Sequence, residues 1–224
     1  MDKIKIIPAV LAKNDLELQN QLNQLTPLCG EIYIDYVDGN FVSGKTIDWQ
    51  NMLDIPMGFL ENQFSLHIMA NDALEIANEA SEAGFKIITL HVEALKEDNI
   101  EFIDELAMKA QIFLAIKPET KVEVLKPFLD IIYGVTIMTV KPGAQGRGFI
   151  AKALAKIDEI KSLGFGGELE VDGGVNIDSI DSVIKAGATR LVVGSALTKA
   201  KNPQEIYDKL NERILSGQSK ITRN

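Results

Sequence analysis

Eight short runs rich in β-branched and other apolar residues recur along the chain, and the segments between them carry apolar residues at helical spacing. The runs are IKIIPAV beginning at Ile4, EIYIDYV at Glu31, FSLHIM at Phe64, KIITLHV at Lys86, QIFLAI at Gln111, IIYGVTIMTV at Ile131, ELEVD at Glu168 and RLVVGSA at Arg190. Strands separated by amphipathic helices form parallel sheets, because parallel neighbours need a crossover that carries the chain back to the same end. Eight strands with eight crossovers favour closure into a (β/α)8 barrel, and 224 residues is close to the roughly 250 of a one-domain barrel. The competing architecture, an open doubly wound sheet that binds a dinucleotide, would put a glycine-rich turn after the first strand. The chain there reads Pro8-Ala9-Val10-Leu11. The expectation is a single barrel domain over residues 1–215, with a polar, frayed tail over 216–224.

The crossovers carry their own signals. Residues 71–83 and 151–163 have apolar side chains three and four apart, with Gly84 and Gly164 just beyond. Thr120 followed by Glu123 has the form of a capping box, and Asn202-Pro203 followed by Glu205 combines a cap, a first-turn proline and a carboxylate at the positive helix end. Both patterns predict helix starts.

Charge and cysteine content exclude several classes of partner. Lys and Arg total 23 against 32 Asp and Glu, a formal charge of −9 that repels nucleic acid and anionic lipid, so an anionic ligand must be held locally. Cys29 is the single cysteine, which excludes an intrachain disulfide and a C-x-x-C site and fits a reducing, cytoplasmic compartment. Met1 to Ala9 has charges among its apolar residues and lacks the long apolar stretch of a signal peptide, and no run of about 18 apolar residues occurs, so neither a targeting segment nor a membrane span is expected.

In a parallel barrel the functional groups sit at the C-terminal strand ends, with phosphate commonly after strands seven and eight. VDGGVN (171–176) ends strand seven, and Gly173 and Gly174 let backbone N–H groups approach an anion that a Cβ would hold away. At the end of strand eight, Gly194 and Ser195 lead into a segment whose N–H groups can face the same anion. The end of strand six, VKPGAQGRGF (140–149), has Gly143, Gly146 and Gly148 and reads as a loop that closes over ligand, with Lys141 and Arg147 as nearby cations. On the opposite side, strand two carries Tyr33 and Asp35 on one face, strand three carries His67 and Met69 on one face, and strand seven ends in Asp172. Ionisable groups pointing into a barrel need partners.

At these residues the chain resembles the ribulose-phosphate 3-epimerase family, from Ile4 to about Leu215. YIDYVDGNFV (33–42) stands where that family has His-x-Asp followed by Met-Asp-Gly-x-Phe-Val. SLHIM, LHVEA, MTVKPGAQGRGF, VDGGVN and VGSA follow its later motifs in order. The resemblance implies proton transfer at carbon three of a pentulose 5-phosphate, interconverting ribulose 5-phosphate and xylulose 5-phosphate, with Asp35 and Asp172 as base and acid. It further implies one divalent metal ion (zinc, iron, manganese or similar) held by Asp35, His67 and Asp172, and a homo-oligomer. The small phosphorylated sugar would be bound by His67, Met69, Met138, Gly143, Ala144, Gln145, Gly146, Gly173, Gly174, Gly194 and Ser195.

The departures lie at the reacting end. Tyr33 replaces the family's first metal-binding histidine, and a phenol with a pKa near about 10 is a poor neutral-pH ligand, although it could complete or cover the site. Pro8-Ala9-Val10-Leu11-Ala12 lacks both hydroxyls of the family's Pro-Ser-Ile-Leu-Ser segment, Ala144 and Gln145 replace Phe-Gly, and Lys141 replaces an Asn or Glu. Besides the epimerase, two readings stay open: a sugar-phosphate-binding paralogue without turnover, and a metal-independent isomerase or lyase in which Lys141 supplies positive charge.

Overall fold

The computed structural model describes residues 4–59, 61–143 and 148–221. The eight apolar runs become eight strands: β1 (Lys5–Val10), β2 (Glu31–Val37), β3 (Gln63–Met69), β4 (Ile87–His91), β5 (Gln111–Ile116), β6 (Gly134–Met138), β7 (Glu168–Asp172) and β8 (Arg190–Val193). Each pairs in parallel with the next and β8 pairs with β1, so the sheet closes in chain order. This is the (β/α)8 barrel that the eight runs predict.

β6 starts later than the apolar run around it. Residues 131–133 form a turn, and the strand begins at Gly134, opposite Phe113. A Cβ at Gly134 would fall 2.1 Å from the Phe113 ring, so only glycine lets the two strands approach there.

The covering helices are α1 (Asp15–Leu25), α2 (Ile55–Gly58), α3 (Ala73–Ala83), α4 (Ile100–Ala107), α5 (Ala155–Ser162), α6 (Ile180–Ala186), α7 (Ser195–Thr198) and α8 (Pro203–Ile221). α3 stops at Gly84 in the left-handed conformation. α8 starts as the sequence predicts, with the Glu205 N–H donating to Asn202 Oδ1 at 3.3 Å. It also runs past Leu215 to Ile221, through residues 216–221 where the composition predicts a frayed tail.

The crossover after β5 corrects the other capping expectation. It is a 3-10 helix, Val122–Phe128, with Lys121 at its N-cap, no side-chain cap bond and Pro127 inside it. Pro127 offers no N–H to an α-helical ladder, and the Thr120 hydroxyl bonds Glu93 rather than the helix entry.

Strand alternation divides the core. Outward residues such as Ile32, Leu66, Ile88, Ile112, Val135 and Leu191 pack beneath the helices in one large apolar cluster. Inward positions are largely polar, with Ser65, His67, Thr89, His91, Thr136, Glu170 and Arg190 all buried. The N-terminal end of the lumen is closed by Arg190, which donates from Nε to Glu170 Oε2 at 2.9 Å and from Nη1 to Glu31 Oε2 at 3.1 Å. Thr136 donates to the other Glu170 oxygen at 2.9 Å, and the guanidinium lies 5.0 Å from the centre of the Phe113 ring.

Burial raises the Glu170 carboxyl above its ordinary value, and Arg190 opposes that rise by offsetting the charge of this fully buried acid. Replacing Arg190 with Met should leave Glu170 uncompensated and lower stability by about 3–5 kcal/mol in urea unfolding. A loss below about 1 kcal/mol, the size expected of a solvated pair, would show that the network is not a true buried charge cluster.

Candidate active site

The open, C-terminal end of the barrel gathers one cluster of ionisable side chains. Parallel register sets Asp35 of β2 beside His67 of β3, and Met138 of β6 beside Asp172 of β7. His67 is fully buried, with Nδ1 3.0 Å from Asp35 Oδ1 and 3.5 Å from Asp172 Oδ2. Two carboxylates thus meet at one imidazole nitrogen.

The cavity above them is lined by Asp35, His67, Met69, Met138, Asp172, Gly173, Gly174, Gly194 and Ser195, together with Ala9, Leu11, Val140, Val175 and Val192. Nine expected site residues therefore share one pocket. Gly143 lines a neighbouring cavity with Ser43, Gly44 and Lys199 instead. Ala144, Gln145, Gly146 and Arg147 lie outside the described residues, and Lys141 is exposed.

The glycine wall is tightly tied. Gly173 has φ +111°, and a Cβ there would sit 2.4 Å from Val140 Cγ2. Thr139 fixes the turn by donating its N–H to the Asp172 carbonyl at 2.8 Å and its hydroxyl to the Gly173 carbonyl. Beyond it, Asn176 Oδ1 accepts the N–H groups of Asp178 and Ser179, while the Ser179 hydroxyl donates to the Gly174 carbonyl at 3.0 Å. These bonds hold the backbone after β7 rigid beside the first turn of α7, whose leading amides have no intrahelical acceptor.

The electrostatics follow from burial. The Asp172 carboxyl is pushed up to about 8, first by burial and then by the charge of Asp35, with His67 opposing. His67 is raised as well, because the two aspartates outweigh the burial that would lower it. Burial lowers His91 to about 4, which keeps it neutral.

The Tyr33 phenol is held well above its ordinary value by burial, then by Glu170, Asp172 and Asp35, so it offers no phenolate. Its oxygen and Thr89 Oγ1 are both buried; Thr89 lies near enough to moderate the phenol, yet neither atom completes a hydrogen bond among the described residues. The Tyr33 ring is 5.6 Å from that of His67 and packs with Ile7, Ala9 and Val192 as an apolar floor beneath the site.

Residues outside the sequence-based set extend the cluster. His67 Nε2 lies 3.1 Å from His91 Nε2, His91 Nδ1 lies 3.0 Å from Glu93 Oε2, and Glu93 Oε1 accepts the Lys117 N–H at 2.8 Å. The signal for them was present: His91 is the second of only two histidines in the chain, and Glu93 is two residues further on.

Asp38 pins the loop after β2, accepting from the N–H groups of Asn40, Phe41 and Asn71, and Phe41 covers His91 at 5.1 Å between ring centres.

The three ligand atoms of Asp35, His67 and Asp172 lie within 4.8 Å of one another. An ion with bonds of about 2.0–2.2 Å holds its ligand atoms roughly 3–3.6 Å apart, and both distances to His67 Nδ1 match that spacing. Two carboxylate oxygens and an imidazole nitrogen suit a divalent first-row cation.

Fold and site together define a (β/α)8 barrel with a paired-carboxylate centre on one side of its mouth and glycine turns on the other. The model of the Ribulose-phosphate 3 epimerase family matches residues 5–198. The chain is 28% identical over 222 residues to ribulose-phosphate 3-epimerase of Schizosaccharomyces pombe, covering 97% of each. It is 33% identical over 208 residues to that of Bacillus subtilis, covering 87% of this chain and 92% of the relative. In fold it is similar to KGPDC from Streptococcus mutans, with TM-score 0.72, 14% identity and coverage of 96% of this chain and 98% of the other. The chain belongs to the ribulose-phosphate 3-epimerase family and is an enzyme of the isomerase class. Among the described residues, no helix is long and apolar enough to cross a membrane.

Glu93 supplies a pH-dependent test. Bonds from His91, Thr120 and the Lys117 amide hold its carboxyl down from 4.5 to about 2 against the opposing effect of burial. A depressed folded-state value means that the stabilisation is complete above about 4.5 and is lost as pH falls toward about 2. The stability gap between wild type and Glu93→Gln, followed by urea unfolding, should therefore close on acidification. A gap unchanged across that window would contradict the assignment.

Proposed function

We propose that the protein interconverts ribulose 5-phosphate and xylulose 5-phosphate, or a closely related ketose phosphate pair, by passing a proton at carbon three between Asp35 and Asp172. The observation that supports this reading most is the meeting of two carboxylates at His67 Nδ1, in the same cavity as the glycine turns after β7 and β8.

Epimerisation next to a ketone needs a base on one face of the carbon and an acid on the other. With the phosphate toward the amides at Gly173, Gly174, Gly194 and Ser195, the carbon chain lies across Met69 and Met138, whose apolar side chains keep water from the reacting carbon. Asp35 takes the proton from one face. Asp172, whose hold on a proton is strengthened by burial and by the charge of Asp35, returns one from the other, and the roles exchange in the reverse direction.

His67 stands between the carboxylates, with Nδ1 3.0 Å from Asp35 Oδ1 and 3.5 Å from Asp172 Oδ2. A divalent cation held by Asp35, His67 and Asp172 would supply positive charge to the oxygen that becomes anionic when the proton leaves. Tyr33 and Ala9 present no charged group from below, so the ion would have three ligands from the protein.

Asp35→Asn and Asp172→Asn should each lower kcat by about 10²–10⁴-fold in an assay of xylulose 5-phosphate formation from ribulose 5-phosphate, with the KM much less affected. Wild-type protein that binds ketose phosphates but converts none of them would instead make the chain a binding member of its family. Gly173→Ala, which forces a Cβ into Val140 and strains a positive φ, should raise KM more than it lowers kcat if the turn grips phosphate. An unchanged KM would remove the turn from the binding site.

A further inference from the structure

We propose that Glu93, acting through His91, sets which nitrogen of His67 carries the proton, so that Nδ1 of His67 presents its lone pair to the space between Asp35 and Asp172. The proposal deepens the functional reading above, resting on His67 as an ion ligand, and makes Glu93 and His91 positioning residues for that ligand.

The direction of each hydrogen bond carries the argument. An ionised carboxylate only accepts. Glu93 Oε1 takes the Lys117 N–H at 2.8 Å, and Oε2 lies 3.0 Å from His91 Nδ1, which must therefore carry hydrogen. A neutral imidazole protonated at Nδ1 is bare at Nε2, and this bare nitrogen is 3.1 Å from Nε2 of His67. His67 Nε2 then has to be the donor. A ring that ligates an ion is neutral, so its lone pair is then on Nδ1, the atom that lies 3.0 Å and 3.5 Å from the two aspartate oxygens. With both aspartates ionised, two carboxylates and a lone pair converging on one point repel one another unless a cation sits there, so the relay presents a nitrogen that can ligate a cation.

The surroundings hold the relay in place. His67 and His91 are both fully buried, which excludes water that could satisfy either ring in the opposite tautomer. The rings lie 5.0 Å apart at a 27° angle, Phe41 packs on His91, and the Lys117 ammonium sits 4.1 Å from the Phe41 ring centre. Lys117 thus closes the relay twice, with its amide on Glu93 and its side chain over Phe41. Thr120 adds a hydroxyl to the same carboxylate.

The chain contains only two histidines, so both imidazoles can be assigned directly by long-range proton–nitrogen NMR on full-length protein labelled with ¹⁵N-histidine. Wild type should show hydrogen on Nδ1 of His91 and on Nε2 of His67. The reverse tautomer at either ring would overturn the proposal without any variant.

Glu93→Gln supplies the second arm. The Lys117 amide claims the single side-chain carbonyl of the introduced amide, whose NH₂ therefore turns to His91 Nδ1. That should invert both tautomers, put hydrogen on His67 Nδ1, and weaken manganese(II) binding by about 10–100-fold in calorimetry. Unchanged tautomers in folded Glu93→Gln, or unchanged manganese affinity, would overturn it. Wild-type protein that shows the expected tautomers yet takes up no manganese would sink the ion reading of the site and leave the relay standing.

Discussion

Asp35 and Asp172 converge on one nitrogen of a buried imidazole, and a barrel lumen can hold two carboxylates that close only with positive charge between them. Much of the architecture serves that constraint. Parallel register brings β2 and β3 side by side so that Asp35 faces His67, and closure through β7, β8 and β1 brings Asp172 to the same point. Buried His91 and Glu93 then orient the imidazole from the far side. The site is thus built by strands, whose mutual positions are fixed by backbone hydrogen bonds, rather than by loops.

The two ends of the lumen solve the problem of buried charge differently. At the N-terminal end Arg190 bridges Glu170 and Glu31 through direct bonds, and Thr136 takes the other Glu170 oxygen. At the C-terminal end burial first, and then the charge of Asp35, outweigh His67 and push Asp172 toward its protonated form. Between them Tyr33 forms part of an apolar floor. It separates the satisfied network from the unsatisfied one, and it fills a position where the family pattern places a metal-binding histidine. The reacting centre therefore departs from the family pattern while the glycine turns after β7 and β8 keep it.

Much of this was legible in the residues themselves. The apolar runs place all eight strands, and the period-two rule puts Tyr33 with Asp35 and His67 with Met69 on common faces. Asp35, His67 and Asp172 stand out as ionisable residues on otherwise apolar strands, and the structure brings them together. His91 and Glu93 were visible as ionisable residues in LHVEA, but their contact with His67 was not legible until the register of β3 against β4 set the two imidazoles side by side. The same carboxylate explains the missing cap: Thr120 and Glu123 have the right spacing, but the Thr120 hydroxyl is already bonded to Glu93 across the barrel mouth. Gly143 resembles its glycine-rich neighbours in sequence, yet it lines the adjacent cavity, a distinction that depends on how the loop after β2 meets the loop after β6.

The central claim is that a proton is exchanged at carbon three by two carboxylates on opposite faces. NMR of ribulose 5-phosphate incubated with the enzyme in D₂O tests it most directly. Two-carboxylate transfer predicts deuterium at carbon three of the xylulose 5-phosphate formed and, as the reaction approaches equilibrium, of the recovered ribulose 5-phosphate, with no deuterium at carbon four. Conversion without entry of solvent deuterium at carbon three, or deuterium appearing at another carbon instead, would contradict the account.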